Sequence, residues 1–361
     1  MNSSLNGALN SSHQTFSNDY CLEKAQSTEK PVLIYGTGNG ADKIIDELNR
    51  LNVEISGIFA SDGFVRNRVF RGFPVISYSE AKEKYGDFLT LISFGSQRPE
   101  VLENFKRISD ERETYSVDVP VYGDNIFNRD FYEKHKNQID EVKSMLCEEK
   151  SRQVYENIIS FKLTGEMHYL TDCETSRDEA YENILNLSDD EIYLDLGAFN
   201  GDTVEEFISH VNSYRKIIAA EPDRKNFSKL QKNTENLENV ELLNVCISDK
   251  NGEILFSSDG GRNGKADSNG ISVNSMTVDS IIGENDVTYI KFDVEGLEKE
   301  ALTGAAETIK RCRPKMLVSC YHRSEDIFTL PLLVKSIRDD YNVYIRHNPY
   351  IPAWDTQFYF V

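Results

Sequence analysis

The chain has 361 residues, 39% hydrophobic and 28% charged, with a formal net charge of −20, which suits a soluble protein large enough for two α/β units with a core each. Such an acid excess repels nucleic-acid phosphates and anionic membrane surfaces, so no nucleic acid is an expected partner. No apolar run is long enough to span a bilayer, so no integral membrane segment is expected either.

Residues 1–29 are polar, rich in Ser and Asn and without periodicity, and the expectation is a disordered tail. They offer neither a basic n-region nor an apolar h-region, and cytoplasmic placement follows as an expectation. The cysteines Cys21, Cys147, Cys173, Cys246, Cys312 and Cys320 form no CxxC pair and no zinc spacing. Free thiols are the simplest reading, and no metal is assigned.

From residue 30 to 120 strand and helix alternate. "PVLIYG" is a strand, "ADKIIDELNRL" a helix with Ile44, Ile45, Leu48 and Leu51 on one face, and "VEISGIFA" and "FLTLISFGS" are further strands. The pattern predicts a small doubly wound unit whose first loop, "GTGNGA", carries Gly36 and Gly38 with Ala41 as a variant third glycine. The candidate ribose acid after its second strand is Asp62, set slightly beyond the strand end. Residues 121–186 follow as a mainly helical connector, with Ile139, Val142, Met145 and Leu146 on one face.

Residues 187–361 form the second unit. Strands "IYLDLG", "KIIAAE", "VELLNVCIS", "VTYIKFD" and "PKMLVSCY" alternate with helices, and "YNVYIRH" and "TQFYFV" close the chain as an antiparallel pair. The fold class is therefore α/β: a class I methyltransferase-type seven-stranded sheet with a terminal hairpin, preceded by a smaller Rossmann-like domain.

The second glycine loop differs from the first in its acids. Asp195 closes the strand, Gly197, Ala198, Asn200 and Gly201 make the turn, and Asp202 with Glu205 has the D-x-x-E spacing of a capping box. Two carboxylates around one loop repel a pyrophosphate and suit a cation. S-adenosyl-L-methionine carries a sulfonium and an amino group, and its carboxylate can take main-chain N–H groups at the turn. Glu221, followed by Pro222 and Asp223, ends the next strand where a ribose presents two hydroxyls. Ser248 and Asp249 follow the third strand, near where an adenine edge would lie, although the same residues are ordinary turn formers. Asp293 and Glu295 stand at the end of "YIKFDVEG" and His322 at the end of the neighbouring strand, so these three are the candidate catalytic residues, with His322 or Asp293 as the base. The glycine-rich stretch Ser257 to Gly270 is expected to act as a lid.

The segments "DLGAFNGDT", "AAEPDRKNFSKL", "NVCISDKNG" and "VTYIKFDVEGLEKEALTGA", with the closing hairpin, resemble the FkbM family of S-adenosylmethionine-dependent methyltransferases. The resemblance implies O-methyl transfer, often to a sugar hydroxyl of a glycan or glycosylated metabolite, with donor contacts at Asp195, Gly197, Glu221, Asp202 and Ser248. The first unit is similar to Rossmann-like domains that bind nucleotide sugars, so Gly36 and Gly38 hold such a ligand or serve only structure and docking. Two rival readings remain at this level: an NAD(P)-dependent oxidoreductase using the first loop, and a non-catalytic binding protein with a methyltransferase shell.

Overall fold

The computed structural model describes residues 20–66, 68–257, 265–266 and 271–361. The proposed lid therefore lies largely outside the described residues. The end of the expected tail is ordered: Cys21–Ser27 is a helix whose Cys21, Leu22 and Ala25 are buried, because these apolar residues cover the outer face of the first sheet beside Val32 and Tyr115.

In chain order the first unit has β1 (Val32–Tyr35), β2 (Gly57–Ala60), β3 (Val69–Phe70), β4 (Phe73–Ser77), β5 (Leu89–Ile92) and β6 (Thr114–Ser116). They form one sheet in the order β3-β4-β2-β1-β5-β6, parallel except for the short β3–β4 pair. The second unit has β7 (Ile192–Leu196), β8 (Lys216–Ala220), β9 (Val240–Leu243), β10 (Cys246–Ile247), β11 (Gly252–Ser257), β12 (Lys265–Ala266), β13 (Ile271–Met276), β14 (Tyr289–Phe292), β15 (Lys315–Ser319), β16 (Val343–His347) and β17 (Thr356–Phe360). Seven of these make the main sheet, in the order β16-β17-β15-β14-β7-β8-β9. β17 runs antiparallel to both its neighbours, as the closing hairpin predicted. β10 to β13 form a separate four-stranded sheet.

Two sequence readings change here. "VELLNVCIS" is two strands in two sheets, because the Asn244 side chain turns the chain by donating to the carbonyls of Glu221 and Pro222 at 2.8 and 3.1 Å. "LEKEALTGAAETI" is two helices, Glu298–Thr303 and Ala306–Cys312, broken at Gly304. Gly304 packs on the Ser248 carbonyl, where an added Cβ would lie 2.3 Å from the oxygen.

Side chains alternate across each strand. In β1, Val32 and Ile34 enter the outer cluster with Ile44 and Leu48, while Leu33 and Tyr35 enter the central one. The central cluster is continuous. It runs from Leu33 and Phe59 through Tyr155 and Ile158 of the connector helix Glu149–Thr164 to Leu194 and Phe292 of the main sheet. Separate cores for the two units were expected from length; the apolar connector joins them instead. Polar ties reinforce the junction: Ser96 and Ile351 exchange main-chain bonds at 2.9 and 3.1 Å, and Tyr122 N–H donates to the His322 carbonyl at 2.8 Å. Every cysteine is free.

Candidate functional site

Both parallel sheets reverse their strand order between the first strand and a later neighbour, at β1/β5 and at β7/β14. Such switch points open a crevice at the strand C-termini. The two crevices here share one cavity of about 820 Å³, lined from one side by Thr37, Asn39 and Gly95 and from the other by Gly197, Glu221 and Asp293.

The loop after β7 explains why glycine is needed there. Gly197 has φ +84°, and a Cβ on it would lie 1.9 Å from the Asp293 carbonyl oxygen, so the two catalytic-side loops touch through this residue. The helix that follows begins at Asp202 with Gly201 as its cap, and no side chain caps it. The expected capping box is therefore absent. Asp202 already sits in the first turn, and its Oδ1 accepts from the neighbouring Thr203 N–H at 3.0 Å.

Asp195 is fully buried. Its carboxylate accepts from Thr203 Oγ1 at 2.5 Å and from Lys291 Nζ at 3.2 Å, and it is not part of the cavity wall. Lys291 is paired directly across from Asp195 in the β14–β7 register. Burial alone would lower the lysine's pKa, but Asp195 and Asp293 outweigh it and hold it raised. Asp195 thus anchors a buried ammonium beneath the loop. The strand "YIKF" offered the signal that sequence reasoning passed over: a lone Lys in a fully buried strand demands a partner.

Glu221 stands just past the end of β8. Its two oxygens accept from the Phe199 N–H at 3.0 Å and the Asp223 N–H at 2.8 Å, leaving further lone pairs toward the cavity it lines. Burial raises its pKa to about 7, with those two N–H donors opposing the shift. Asp223 caps the helix Arg224–Asn233 through the N–H groups of Lys225 and Asn226. Of the residues expected to contact the donor, Gly197, Asp202, Pro222 and Asp223 line the cavity, whereas Ala198, Asn200, Gly201, Ser248 and Asp249 do not. Ser248 instead donates to Asp249 at 3.2 Å. The wall beyond Glu221 comes from Val245, Cys246 and Ile247, just upstream of the predicted pair.

At the end of β14, Asp293 and Glu295 line the cavity but His322 does not. His322 is 1% exposed and surrounded by acids: its Nδ1 lies 2.9 Å from Glu298 Oε1, and its Nε2 lies 3.2 Å from Glu295 and 3.8 Å from Asp293. Neither ring nitrogen makes a well-formed hydrogen bond to these oxygens, and the contacts are charge pairs when the imidazole is protonated. Burial opposes the charge, yet Glu298 and Glu295 raise the imidazole's pKa well above its ordinary value. His322 therefore sits behind the cavity wall among the carboxylates of Glu298, Glu295 and Asp293, where it can act on a ligand only through them. Glu298, whose position in the first turn of a helix hid its role, also accepts from the N–H groups of Val294 and Gly296 at 2.9 and 3.3 Å. Asp293, Glu298 and His322 bring one ligand atom each within 4.8 Å of one another. Because both imidazole nitrogens face carboxylates, the group is an ion-paired histidine in character.

The two cavity-facing acids are driven apart. Burial works to raise Asp293, but Lys291 and His322 outweigh it and hold the carboxyl below its ordinary range; Tyr321 also donates to it at 3.1 Å. Burial raises Glu295, with His322 opposing. Glu295 is held at φ +54° on a non-glycine residue, a costly conformation of the kind found where a side chain must be aimed.

In the first unit, Asp62 accepts from the N–H and hydroxyl of Ser79, both at 3.0 Å, and takes no part in the cavity. It serves the start of the helix Tyr78–Tyr85. The close-packing glycine of "GTGNGA" is Gly40, whose added Cβ would meet the Ser93 carbonyl at 2.1 Å.

This sheet order, with a glycine loop at the switch point and an acid at the tip of the next strand, defines a class I methyltransferase-like fold. Residues 195–347 match the model of the methyltransferase FkbM domain. Among solved structures the chain is similar to methyltransferase FkbM from Methylobacillus flagellatus KT, with a TM-score of 0.73 and 21% identity over 94% of this chain and 92% of that one. Weaker likenesses include Aeropyrum pernix fibrillarin in complex with natively bound S-adenosyl-L-methionine (TM-score 0.33, 16% identity, 51% of this chain and 74% of that one). An rRNA methylase from Streptococcus thermophilus is another (TM-score 0.31, 16% identity, 51% and 91%). No curated protein matches the chain. The match to that domain model supports methyl transfer in general. Among the described residues no helix is long and apolar enough to cross a membrane.

Proposed function

We propose that the protein transfers the methyl group of S-adenosyl-L-methionine to a sugar hydroxyl oxygen. The observation that carries this reading is Glu221, buried at the tip of β8 with one main-chain N–H on each oxygen and facing the cavity over the Gly197 loop. It is suited to accept both ribose hydroxyls of a nucleoside. The lining charges agree: Asp202, Glu206, Asp223 and Asp293 surround the same space, giving a negative field that attracts a sulfonium and an ammonium. A nicotinamide dinucleotide would need Asp62, which is committed to Ser79.

In the reaction, the acceptor oxygen lies in line with the S–CH3 bond. The C–O bond forms as the C–S bond breaks, the sulfur keeps the electron pair as a neutral thioether, and the hydroxyl proton passes to Glu295. Positioning supplies much of the rate, and a carboxylate with raised proton affinity supplies the rest. Asp293, held ionised by Lys291 and His322, stays negative beside the departing charge.

Calorimetry with S-adenosylmethionine, NADH and UDP-sugars tests the donor, and binding of NADH alone would sink the reading. A pH series sharpens it. Glu221 accepts hydroxyl protons best as a carboxylate, so with a pKa of about 7 donor affinity is expected to fall as pH drops from 8 to 6, by about tenfold per unit once well below the pKa. Glu221→Gln should bind weakly and lose this acid limb; an unchanged limb would show that another group controls it.

A further inference from the structure

The cavity has two chemically different walls. The tips of β7, β8 and β14 supply acids, whereas the opposite wall, built by the loops after β1 and β5, by residues 119–121 and by the loop between β16 and β17, is almost uncharged. Its one carboxylate among the described residues, Asp355, is paired with Arg177 at 2.8 Å. Three half-buried aromatic side chains, Phe94, Tyr350 and Trp354, form its floor, with Thr37, Asn39 and Gln97 at its edge. The Tyr350 and Trp354 rings lie 6.3 Å apart at 40°. Trp354 is pinned by its Nε1–H, which donates to the Val119 carbonyl at 3.2 Å. Both rings rest on Gly95, where an added Cβ would lie 2.6 Å from Trp354 Cε3 and 2.8 Å from Tyr350 Cε1. This wall lies across the cavity from the Gly197 loop and Glu221, to which the methyl donor is assigned above.

We infer that it is the acceptor subsite and that it takes an uncharged pyranose, stacked on Trp354 and Tyr350 and hydrogen-bonded at its rim by Thr37, Asn39 and Gln97. The assignment rests on the methyl-transfer reading and adds where the acceptor sits and that it carries no charge. A pyranose presents a face of C–H groups, whose partial positive charge suits the negative face of an aromatic ring, and a rim of hydroxyls that amides and hydroxyls satisfy as both donors and acceptors. A nucleotide-linked sugar would bring a diphosphate into a cavity where acids outnumber Arg177 and Lys291, and like charges in a partly dry site repel strongly. The phosphate-binding reading of Gly36 and Gly38 is thereby disfavoured. A flat aromatic acceptor would stack equally well but would make no use of the Asn39 and Gln97 amides at the rim.

The chain has one tryptophan, so intrinsic emission reports on Trp354 alone. With S-adenosylhomocysteine bound, methyl glycosides of glucose, galactose, mannose and rhamnose should include at least one that changes the emission saturably, more tightly than UDP-glucose or phenol. A silent tryptophan with every glycoside, or tighter binding of UDP-glucose or phenol, overturns the assignment. Gly95→Ala should displace both rings and weaken the glycoside at least tenfold while calorimetry finds adenosylhomocysteine affinity unchanged; an unaltered glycoside affinity in that variant also overturns it. Failure of adenosylhomocysteine to bind the unaltered protein would instead remove the donor reading, so the two failures are told apart.

Discussion

Glu295→Gln is expected to lower kcat by about 10²–10⁴-fold, the usual contribution of a positioned general base, while leaving donor affinity unchanged. The substitution keeps the shape of the side chain and removes its capacity to take a proton. Glu295 is singled out among the acids of the site for three reasons. It lines the cavity, burial raises its proton affinity, and its backbone is held at φ +54° to present it. Asp293 also lines the cavity, but Lys291 and His322 hold its carboxyl low, so Asp293→Asn should act mainly through lost positioning and charge. The two variants differ in their pH profiles. Glu295→Gln should lose the acid limb of kcat that its raised carboxyl imposes, whereas Asp293→Asn should keep it. Equal activity of Glu295→Gln and the unaltered protein, measured on an accepted glycoside, would exclude the glutamate as the base.

The second sheet was largely legible in the sequence because its strands are short apolar runs, three of which end at an acid. Asp195, Glu221 and Asp293 mark those ends, within β7 and just past β8 and β14. What the strand ends did not disclose is which acid faces ligand. Asp195 turns inward to Lys291, a pairing set by the register of β7 against β14, two strands that are distant in sequence. His322 likewise looked like a base beside Asp293, and the approach of Glu298 from the following helix, 2.9 Å from its Nδ1, is what the strand ends did not disclose. The aromatic wall was invisible for the same reason. Its floor joins Phe94, from the loop after β5, to Tyr350 and Trp354, from the closing hairpin, and neither segment carries a local pattern that names the other.

The same junction between units should dominate stability. Lys162, on the connector helix Glu149–Thr164, meets Asp118, just past β6, at 2.6 Å, with both side chains 3% exposed. The helix belongs to the cluster that joins the two sheets, so this pair ties the edge of the first sheet to the support of the second. Asp118→Ala leaves an ammonium buried without its counter-charge, and a loss of about 3–5 kcal/mol is expected in urea unfolding. Lys162→Met should cost a similar amount by stranding the carboxylate. The double variant Asp118→Val with Lys162→Met should be less destabilised than either single change, since an apolar pair avoids the desolvation that an ion pair must offset. Additive losses in the double variant would mean that the two side chains act independently, and the ion pair would then not be what fastens the first sheet over the cavity.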